Sequence, residues 1–240
     1  MGCKIWAVVA LKSPDTAKSR LRALLTDAER RDLYFLMAGK VITSLKQTAG
    51  IDKVLVVTSG NEVERIATQL GVDVIRQDEE RGTAAAFAHA VKMLTAVDAD
   101  EHPTSLLMVA GDLPLISPAA LSSLIHRPGA LSGVSIVPDR KRIGTNALLC
   151  SPPDASPPCF GAESFDRHRA AARVRGIAVH VHESDALSLD IDGAEDLAML
   201  SAQLAGSPDL ADAALCGLLA RLHGAAPPSK RESLANVHFF

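Results

Sequence analysis

Short apolar runs alternate with longer segments of helical periodicity through the first half of the chain. The runs are rich in Val, Ile and Leu and read KIWAVVAL, KVLVVT, VDVIR and SLLMVAG. Each is followed by a stretch with apolar positions at helical spacing, which predicts parallel strands joined by helices. The predicted helices cover 27 to 48, 61 to 70, 82 to 97 and 118 to 126, the first capped by Thr26 and the last by Ser117. This alternation indicates an open α/β sheet with helices on both faces.

The pattern changes after residue 130. SGVSIVP and TNALLC predict strands, and a proline-rich loop at 152 to 158, a helix at about 163 to 175 and a strand IAVHVH follow. Such an insertion can wall one side of the crevice at the carboxyl ends of the strands, where open α/β folds bind ligands. After LSLDID a helix is expected from Gly193 to Leu204. We expect one domain over 1–206, a C-terminal helix within 207–224 and a flexible tail at 225–240.

Composition narrows the classes of function. The chain has 240 residues, 48% of them hydrophobic, which suffices for one substantial core. Its net charge is −3 with dispersed basic residues and 3% aromatic residues, so nucleic acid is not expected as a partner. No apolar run approaches the roughly 18 residues of a membrane span, so no membrane association is expected. Four widely spaced cysteines without metal-ligand spacing favour a reducing compartment, and we expect a cytoplasmic protein.

A basic loop follows the first predicted strand, where α/β nucleotide-binding folds place their phosphate loop. It reads LKSPDTAKSRLRALL, beginning at Leu11, and carries Lys12, Lys18, Arg20 and Arg22. The glycines of GxGxxG and GxxxxGK[ST] are absent, so side-chain cations would have to hold the phosphates in place of backbone amides. The alternative is a solvated basic helix end.

Two acidic elements are candidate metal ligands. Asp112 stands at the end of the fourth strand in VAGDLPLI, and Asp190 and Asp192 alternate in LDIDGAEDL. On a short strand the latter two would face opposite ways, so only one could share a metal with Asp112. Either carboxylate could instead be a cap, Asp112 of a turn and Asp192 of the helix beginning at Gly193.

Three clusters of small residues are candidate ligand contacts. Gly82, Thr83 and Ala84 would let a flat ligand such as a nucleobase approach the backbone, although small residues equally suit helix-on-sheet packing. The triplet 144–146 (GTN) and the segment 160–164 (FGAES) lie on either side of the proline loop and suit anion binding through hydroxyls, amides and a helix N-terminus. The plainer alternatives are that Thr145 closes a turn and Ser164 caps its helix.

Five stretches taken together resemble the guanylyltransferase family of coenzyme F-420 biosynthesis. They are, in order, AKSRL, GDLPL, PDRKRIGTNALL, FGAESFDRH and LDIDGAEDL. The resemblance covers about residues 4 to 204 and implies a single-domain, Rossmann-like nucleotidyltransferase fold of the nucleotide-diphospho-sugar transferase type. The wider superfamily includes molybdopterin guanylyltransferases. A molybdopterin guanylyltransferase or cytidylyltransferase of the same fold is an alternative, as is a catalytically silent nucleotide-binding regulator.

The resemblance implies transfer of GMP from GTP, with Mg²⁺, to phosphoenolpyruvate, 3-phospho-D-glycerate or 2-phospho-L-lactate. It assigns Mg²⁺ to Asp112 and Asp192, and catalysis to these two with Lys18 and Arg20. Nucleotide contacts are expected at Leu11, Lys12, Lys18, Gly82, Thr83 and Ala84, and phospho-acid contacts at Thr145, Asn146, Gly161, Ser164 and Arg167.

Further expectations concern partners and departures from the family. We expect hand-over of the product to the next enzyme of the pathway, and the apolar positions Leu33, Leu36, Met37 and Val41 could serve a homodimer as well as the core. Ala84 stands where the family has an asparagine near the nucleotide. Among eight histidines, only His168 is a candidate for ligand contact, beside the predicted anion site.

Overall fold

A seven-stranded sheet forms the centre of the computed structural model, which describes residues 3–96, 102–206 and 213–224. The strands are β1 (Ile5–Ala10), β2 (Ile51–Thr58), β3 (Asp73–Arg76), β4 (Ser105–Ala110), β5 (Gly133–Pro138), β6 (Thr145–Ser151) and β7 (Val179–Val181). Their spatial order is β3-β2-β1-β4-β6-β5-β7. All neighbours pair in parallel except that β6 is antiparallel to β4 and β5. The predicted mostly parallel sheet is confirmed, and the insertion extends it.

Helices cover both faces of the sheet, as the periodicity predicted. They are α1 (Asp27–Gln47), α2 (Asn61–Gln69), α3 (Thr83–Thr95), α4 (Pro118–Ile125), α5 (Ser164–Val174), α6 (Asp185–Ser188), α7 (Ala194–Gly206) and α8 (Ala213–Gly224), with a 3-10 turn at Ser19–Leu21. Both predicted caps are present: Thr26 forms a reciprocal capping box with Glu29, and Ser117 accepts from the amide of Ala120.

The core is built from three groups of buried side chains. One lies between the sheet and α1, α2 and α4, and a second lies on the opposite face under α3 and α5. The third joins α1 to α7 and α8 through residues such as Leu33, Met37 and Leu218. Leu33, Met37 and Val41 are at most 1% exposed, and Leu36 packs partly buried against the third group, so these apolar positions of α1 serve the chain's own core.

The reversed direction of β6 decides where a cleft can form. Val109 near the end of β4 pairs with Ala147 near the start of β6. The amino end of β6 therefore lies at the same sheet edge as the carboxyl ends of β1 and β4. Thr145, which begins β6, is thereby brought next to Gly111 and Asp112, which follow β4.

The C-terminal region is described only in part. Leu215, Leu218 and Leu219 of α8 are buried against the third core group. The predicted tail at 225–240 lies outside the described residues. Among the helices that are described, none has both the length and the apolar character needed to cross a membrane.

Candidate active site

A cleft of about 620 Å³ opens where β1 and β4 end and β6 begins. This volume is in the range of small-molecule sites. One wall is the loop that follows β1 together with Asp112, and the opposite wall is formed by 143–146 and 160–164. A narrow slot joins the cleft beside β1 and α3. The cleft therefore unites the candidate nucleotide and phospho-acid residues.

One lysine ammonium connects the segments that meet at the floor of the cleft. Nζ of Lys18 forms an ion pair with Asp112 and lies 3.4 Å from Oδ1 of Asp192. The Lys18 side chain is 6% exposed, whereas that of Asp192 is 55% exposed. Nη1 of the exposed Arg20 lies 3.4 Å from Oδ2 of Asp192. The four residues predicted to be catalytic thus form one contiguous cluster.

The charges of this cluster shift the pKa values of its members. Burial alone would lower the pKa of Lys18, but the charge and hydrogen bond of Asp112, with smaller contributions from Asp192 and Asp190, raise it above the ordinary value. Lys18 therefore stays a cation at neutral pH. Burial, followed by the charges of Asp112 and Asp192, raises the pKa of Asp190 to about 6.

The predicted alternation of Asp190 and Asp192 along a strand is wrong. Residues 189–193 form no strand, so the period-two rule does not apply, and both carboxylates line the same cleft. Asp190 lies 3.4 Å from the Asn146 amide, while Asp192 faces Lys18. The alternative of Asp192 as a helix cap is not seen either. Instead, Oδ2 of Asp196 accepts from the amides of Asp192 and Gly193 at 3.0 and 2.8 Å.

The donor set of Asp112 and Asp192 fits a magnesium ion. Their oxygens already converge on one cationic atom, Lys18 Nζ, so the two carboxylates can share a positive charge. Magnesium is ordinarily held by one or two carboxylates, with phosphate oxygens and water as its other ligands. In the part of the chain that the structure describes, no group of three or more His, Cys, Asp or Glu side chains is arranged around a metal position.

Three side chains that the sequence did not single out hold the loop after β1. The Tyr34 hydroxyl donates to the carbonyl of Lys12 at 2.7 Å, and Nη1 of Arg30 donates to that of Ala17 at 2.9 Å. Glu80 accepts from the amide of Ser13 at 3.0 Å and the hydroxyl of Thr16 at 3.2 Å. These bonds fix the loop without glycines. The spacing of Arg30 and Tyr34 by four on a helix was a readable signal, because it puts both on one face.

The candidate nucleotide residues divide between the cleft and the core. Leu11 and Lys12 line both the cleft and the slot, as Thr83 does, and Gly82 lines the slot. Gly82 has a φ of 89°, which favours glycine, and a side chain there would meet open space. Ala84 lines neither cavity and packs against the second core group. Ala84 therefore serves helix-on-sheet packing, whereas Gly82 and Thr83 remain candidates for contact with the nucleotide.

Thr145 and Asn146 both line the cleft but use their side chains differently. The Thr145 hydroxyl lies 3.0 Å from Nδ1 of His168. The Asn146 amide nitrogen donates to the carbonyls of Leu187 and Ser188, each at 3.0 Å. Asn146 thus anchors the segment that leads to Asp190, and its amide protons are taken up by protein groups.

The segment 160–164 turns sharply before α5. Gly161 has a φ of 112° and Glu163, the N-cap residue, a φ of 53°. Ser164 is the first residue of α5, and the N-cap residue Glu163 makes no side-chain capping bond. The amide of Ser164 donates to the carbonyl of Gly161 at 3.2 Å, so the expected use of this amide for a ligand is not supported. The hydroxyl makes no hydrogen bond to a described residue, and Ser164 lines the cleft.

Arg167 and His168 lie away from the cleft. Nη1 of Arg167 donates to the carbonyl of Ala162 at 3.3 Å, so this residue supports the turn from outside and does not line the cleft. Arg167 follows Ser164 by three positions on α5, so spacing alone would put both on the same side of the helix, but the Arg167 side chain turns back to Ala162. His168 is fully buried behind Thr145. The expectation that His168 contacts ligand is therefore not met.

Comparisons with known proteins agree on the family. The family model described as Guanylyl transferase CofC like matches residues 5–209. The chain is 37% identical over 195 residues to a phosphoenolpyruvate guanylyltransferase of Conexibacter woesei, covering 80% of this chain and 85% of that protein. It is 32% identical to a 3-phospho-D-glycerate guanylyltransferase of Phenylobacterium zucineum, covering 79% and 86%. It is also 32% identical to a 2-phospho-L-lactate guanylyltransferase of Methanothermobacter thermautotrophicus, covering 81% and 82%.

Solved structures support the fold. A protein of Desulfovibrio desulfuricans G20 described as a nucleotide-diphospho-sugar transferase aligns with a TM-score of 0.70 at 14% identity, covering 92% of this chain and 99% of that one. A nucleotidyl transferase of Methanothermobacter aligns with a TM-score of 0.60 at 21% identity, covering 85% and 99%. At these identities the likeness shows the fold alone.

The buried state of His168 predicts a pH dependence of stability. Burial, helped by Arg167 and opposed by a hydrogen bond to the Ser164 backbone, lowers the pKa of His168 to about 4 from its ordinary 6.5. The unfolded chain binds a proton below pH 6.5 that the folded chain does not bind until about pH 4, so this histidine makes stability fall as pH falls. Between pH 7 and 5 the loss attributable to His168 is about 2 kcal/mol.

Urea unfolding at pH 7 and pH 5 of the native chain and His168→Gln measures this contribution. The native chain is expected to lose more stability than the variant over this interval. His182, whose pKa is also lowered by burial, is present in both and cancels. Equal losses in the two proteins would show that His168 titrates as an ordinary histidine.

Proposed function

The chain belongs to the CofC-like guanylyl transferase family, and we propose that its cleft transfers GMP from GTP to the phosphate of a three-carbon phospho-acid in coenzyme F-420 biosynthesis. The candidate acceptors are those named for its relatives: phosphoenolpyruvate, 3-phospho-D-glycerate and 2-phospho-L-lactate. The observation that carries the proposal is that Thr145, Gly161 and Ser164 share one cleft with Asp112 and Asp192.

The reaction is an in-line displacement at phosphorus. An oxygen of the acceptor's phosphate forms a bond to the α-phosphorus of GTP, the bond from that phosphorus to the β-phosphate oxygen breaks, and pyrophosphate leaves. A phosphate monoester has a second pKa of about 6 and is largely ionised at neutral pH. The nucleophile therefore needs no general base, and the protein's task is positioning and charge compensation.

Repulsion between the two anionic substrates is the main barrier that the cluster would lower. Lys18 is buried and stays charged, so its ammonium acts where water screens it little. Arg20 is 77% exposed, and its contribution is correspondingly weaker. Mg²⁺ held by Asp112 and Asp192 would supply further charge neutralisation on the phosphates when bound.

The two walls give each substrate its own set of contacts. Leu11, Lys12 and Thr83 line the cleft and, with the neighbouring Gly82, would receive the nucleotide. Thr145 and Ser164 would offer hydroxyl donors to the acceptor's anionic oxygens, and Gly161 leaves room because nothing lies within 4 Å of a side chain built there. A cytoplasmic location and hand-over of the product to the next enzyme of the pathway belong to the proposal.

The first test offers GTP and Mg²⁺ with each phospho-acid separately and then with all three in competition. Pyrophosphate release that depends on an acceptor, with a product mass equal to the acceptor plus GMP, is the expected result. ATP and CTP serve as control nucleotides, because the family predicts a preference for GTP. Absence of turnover with all three acids would favour the nucleotide-binding regulator, and equal rates with ATP would remove the claim for guanine.

The second test addresses the carboxylates. Asp112→Asn and Asp192→Asn should each lower kcat by about 100-fold or more, because each removes a charge from the shared cation position. Calorimetry of Mg²⁺ with GTP present should show weaker metal binding in both variants. Asp112→Asn should also lower the melting temperature, since it withdraws the main partner of the buried Lys18, whereas Asp192 is largely exposed.

Asp190→Asn is the matched variant for this test, since Asp190 lines the same cleft and lies two positions from Asp192. If Asp190→Asn abolished metal binding and Asp192→Asn did not, the assignment of the second metal ligand would move to Asp190.

The third test addresses the acceptor wall. A hydrogen bond to a charged group contributes roughly 1.5 to 3 kcal/mol, or about 10- to 150-fold in an equilibrium constant. Ser164→Ala and Thr145→Val should raise the KM for the phospho-acid by about this range while the KM for GTP changes little. Ser201→Ala, which removes a hydroxyl bonded only within α7, is the control. Unchanged phospho-acid constants in both cleft variants would remove this pocket.

A further inference from the structure

His168 is a buried polar residue for which the proposed reaction has no direct use. It lies on α5 with 0% of its surface exposed, behind the acceptor wall. The edge of its ring packs against Phe160, with centroids 5.0 Å apart and planes at 74°. A histidine enclosed in this way has both ring nitrogens committed to protein partners, and these partners determine which nitrogen carries the proton.

The partner of one ring nitrogen is a backbone amide. The N–H of Cys159 points at Nε2 at 2.7 Å. A backbone amide can only donate, so Nε2 must present its lone pair. Since burial keeps the ring neutral, its single proton then resides on Nδ1.

The other ring nitrogen faces Thr145. Nδ1 lies 3.0 Å from Thr145 Oγ1. Whether the Nδ1 proton goes to this oxygen or to the backbone of Ser164, which also bonds to the ring, a protonated Nδ1 cannot accept the proton of the Thr145 hydroxyl. That proton has no other acceptor among the described residues.

We propose that His168 is a positioning residue that holds the Thr145 hydroxyl as a hydrogen-bond donor into the cleft, where it selects an anionic oxygen of the phospho-acid. The amide of Cys159 donates to Nε2, so the ring proton is on Nδ1, and the proton of the Thr145 hydroxyl is therefore left for the ligand. With the opposite tautomer, the Thr145 hydroxyl would donate its proton to Nδ1, and only its lone pairs would face an anion in the cleft. The identity of the ligand rests on the proposed function, but the direction of these hydrogen bonds does not.

The hydrogen bonds of His168 also connect the two parts of the acceptor wall. Thr145 begins β6, whereas Cys159 immediately precedes the turn that carries Gly161 and Ser164. His168 bonds to both. It therefore helps to set the distance between these two segments, which are also joined where the amide of Phe165 donates to the carbonyl of Ile143 at 3.0 Å.

The direct test is the tautomer itself. Long-range ¹H–¹⁵N spectra of the native chain, with the His168 resonance assigned from its absence in His168→Gln, should show a protonated Nδ1 and an unprotonated Nε2 at pH 7. A proton on Nε2, or a doubly protonated ring, would overturn the proposal. This measurement needs no substrate, so it stands whether or not the chain transfers GMP.

The kinetic test uses two amides that each replace one ring nitrogen. The side-chain nitrogen of His168→Asn can take the place of Nδ1 and donate to Thr145, whereas His168→Gln reaches the position of Nε2 and can bond only Cys159. We expect a phospho-acid KM about 2- to 10-fold higher in His168→Gln than in His168→Asn, the effect of one neutral hydrogen bond, with the KM for GTP alike in both.

Combination with Thr145→Val separates positioning from a structural role. If His168 acts through the Thr145 hydroxyl, His168→Gln should add nothing to the phospho-acid KM of Thr145→Val. Three results would each contradict this positioning role: additive effects of the two substitutions on the phospho-acid KM, a parallel rise in the KM for GTP, or a lower phospho-acid KM in His168→Gln than in His168→Asn. Failure of the proposed function would appear differently, as absence of turnover by the native chain with every phospho-acid.

Discussion

The ion pair of Lys18 with Asp112 and Asp192 is the constraint on which the cleft depends. It joins the loop after β1, the end of β4 and the segment before α7, which are far apart in sequence. Lys18 has a φ of 54°, an uncommon conformation for a side chain of this size. Such strain persists where the surroundings over-determine it. Here the surroundings are the two carboxylates, together with Arg30 on the neighbouring carbonyl of Ala17.

Two different solutions to anion binding face each other across the cleft. On the proposed nucleotide side, side chains from α1 and Glu80 hold a loop without glycines in place, and a buried cation supplies the charge. On the proposed acceptor side, the hydroxyl-bearing residues Thr145 and Ser164 line the cleft at the start of β6 and the start of α5. A cation in water attracts any anion, whereas a fixed hydroxyl donor discriminates by position. The division suits a reaction in which one substrate is a highly charged nucleotide and the other is small.

The parts that could be predicted from sequence are those with local signals. The period of apolar residues and the caps at Thr26 and Ser117 predicted the helices α1 to α5 and α7 to within two residues, and the order of strands and helices indicated the sheet. The one-turn helix α6 was not predicted. Asp190 and Asp192 were misjudged because alternation says nothing where the backbone is not a strand. The place of Arg167 could not be predicted because its side chain turns back to Ala162, which helical spacing does not show. Glu80 gave no signal, since its bonds to the loop are formed only after folding.

The antiparallel strand β6 divides the sheet into two parts. In the proposed function, the nucleotide contacts come from one side of it, between β1 and β4, and the acceptor wall comes from the segment from β5 to α5. Because β6 pairs with β4 through a backbone ladder and the side-chain bond of Ser105 to Ser151, changes within about forty residues would rebuild the proposed acceptor wall while the other half of the sheet keeps its geometry. Such a divided architecture allows the members of one family to be named for three different phospho-acids while all are named guanylyltransferases.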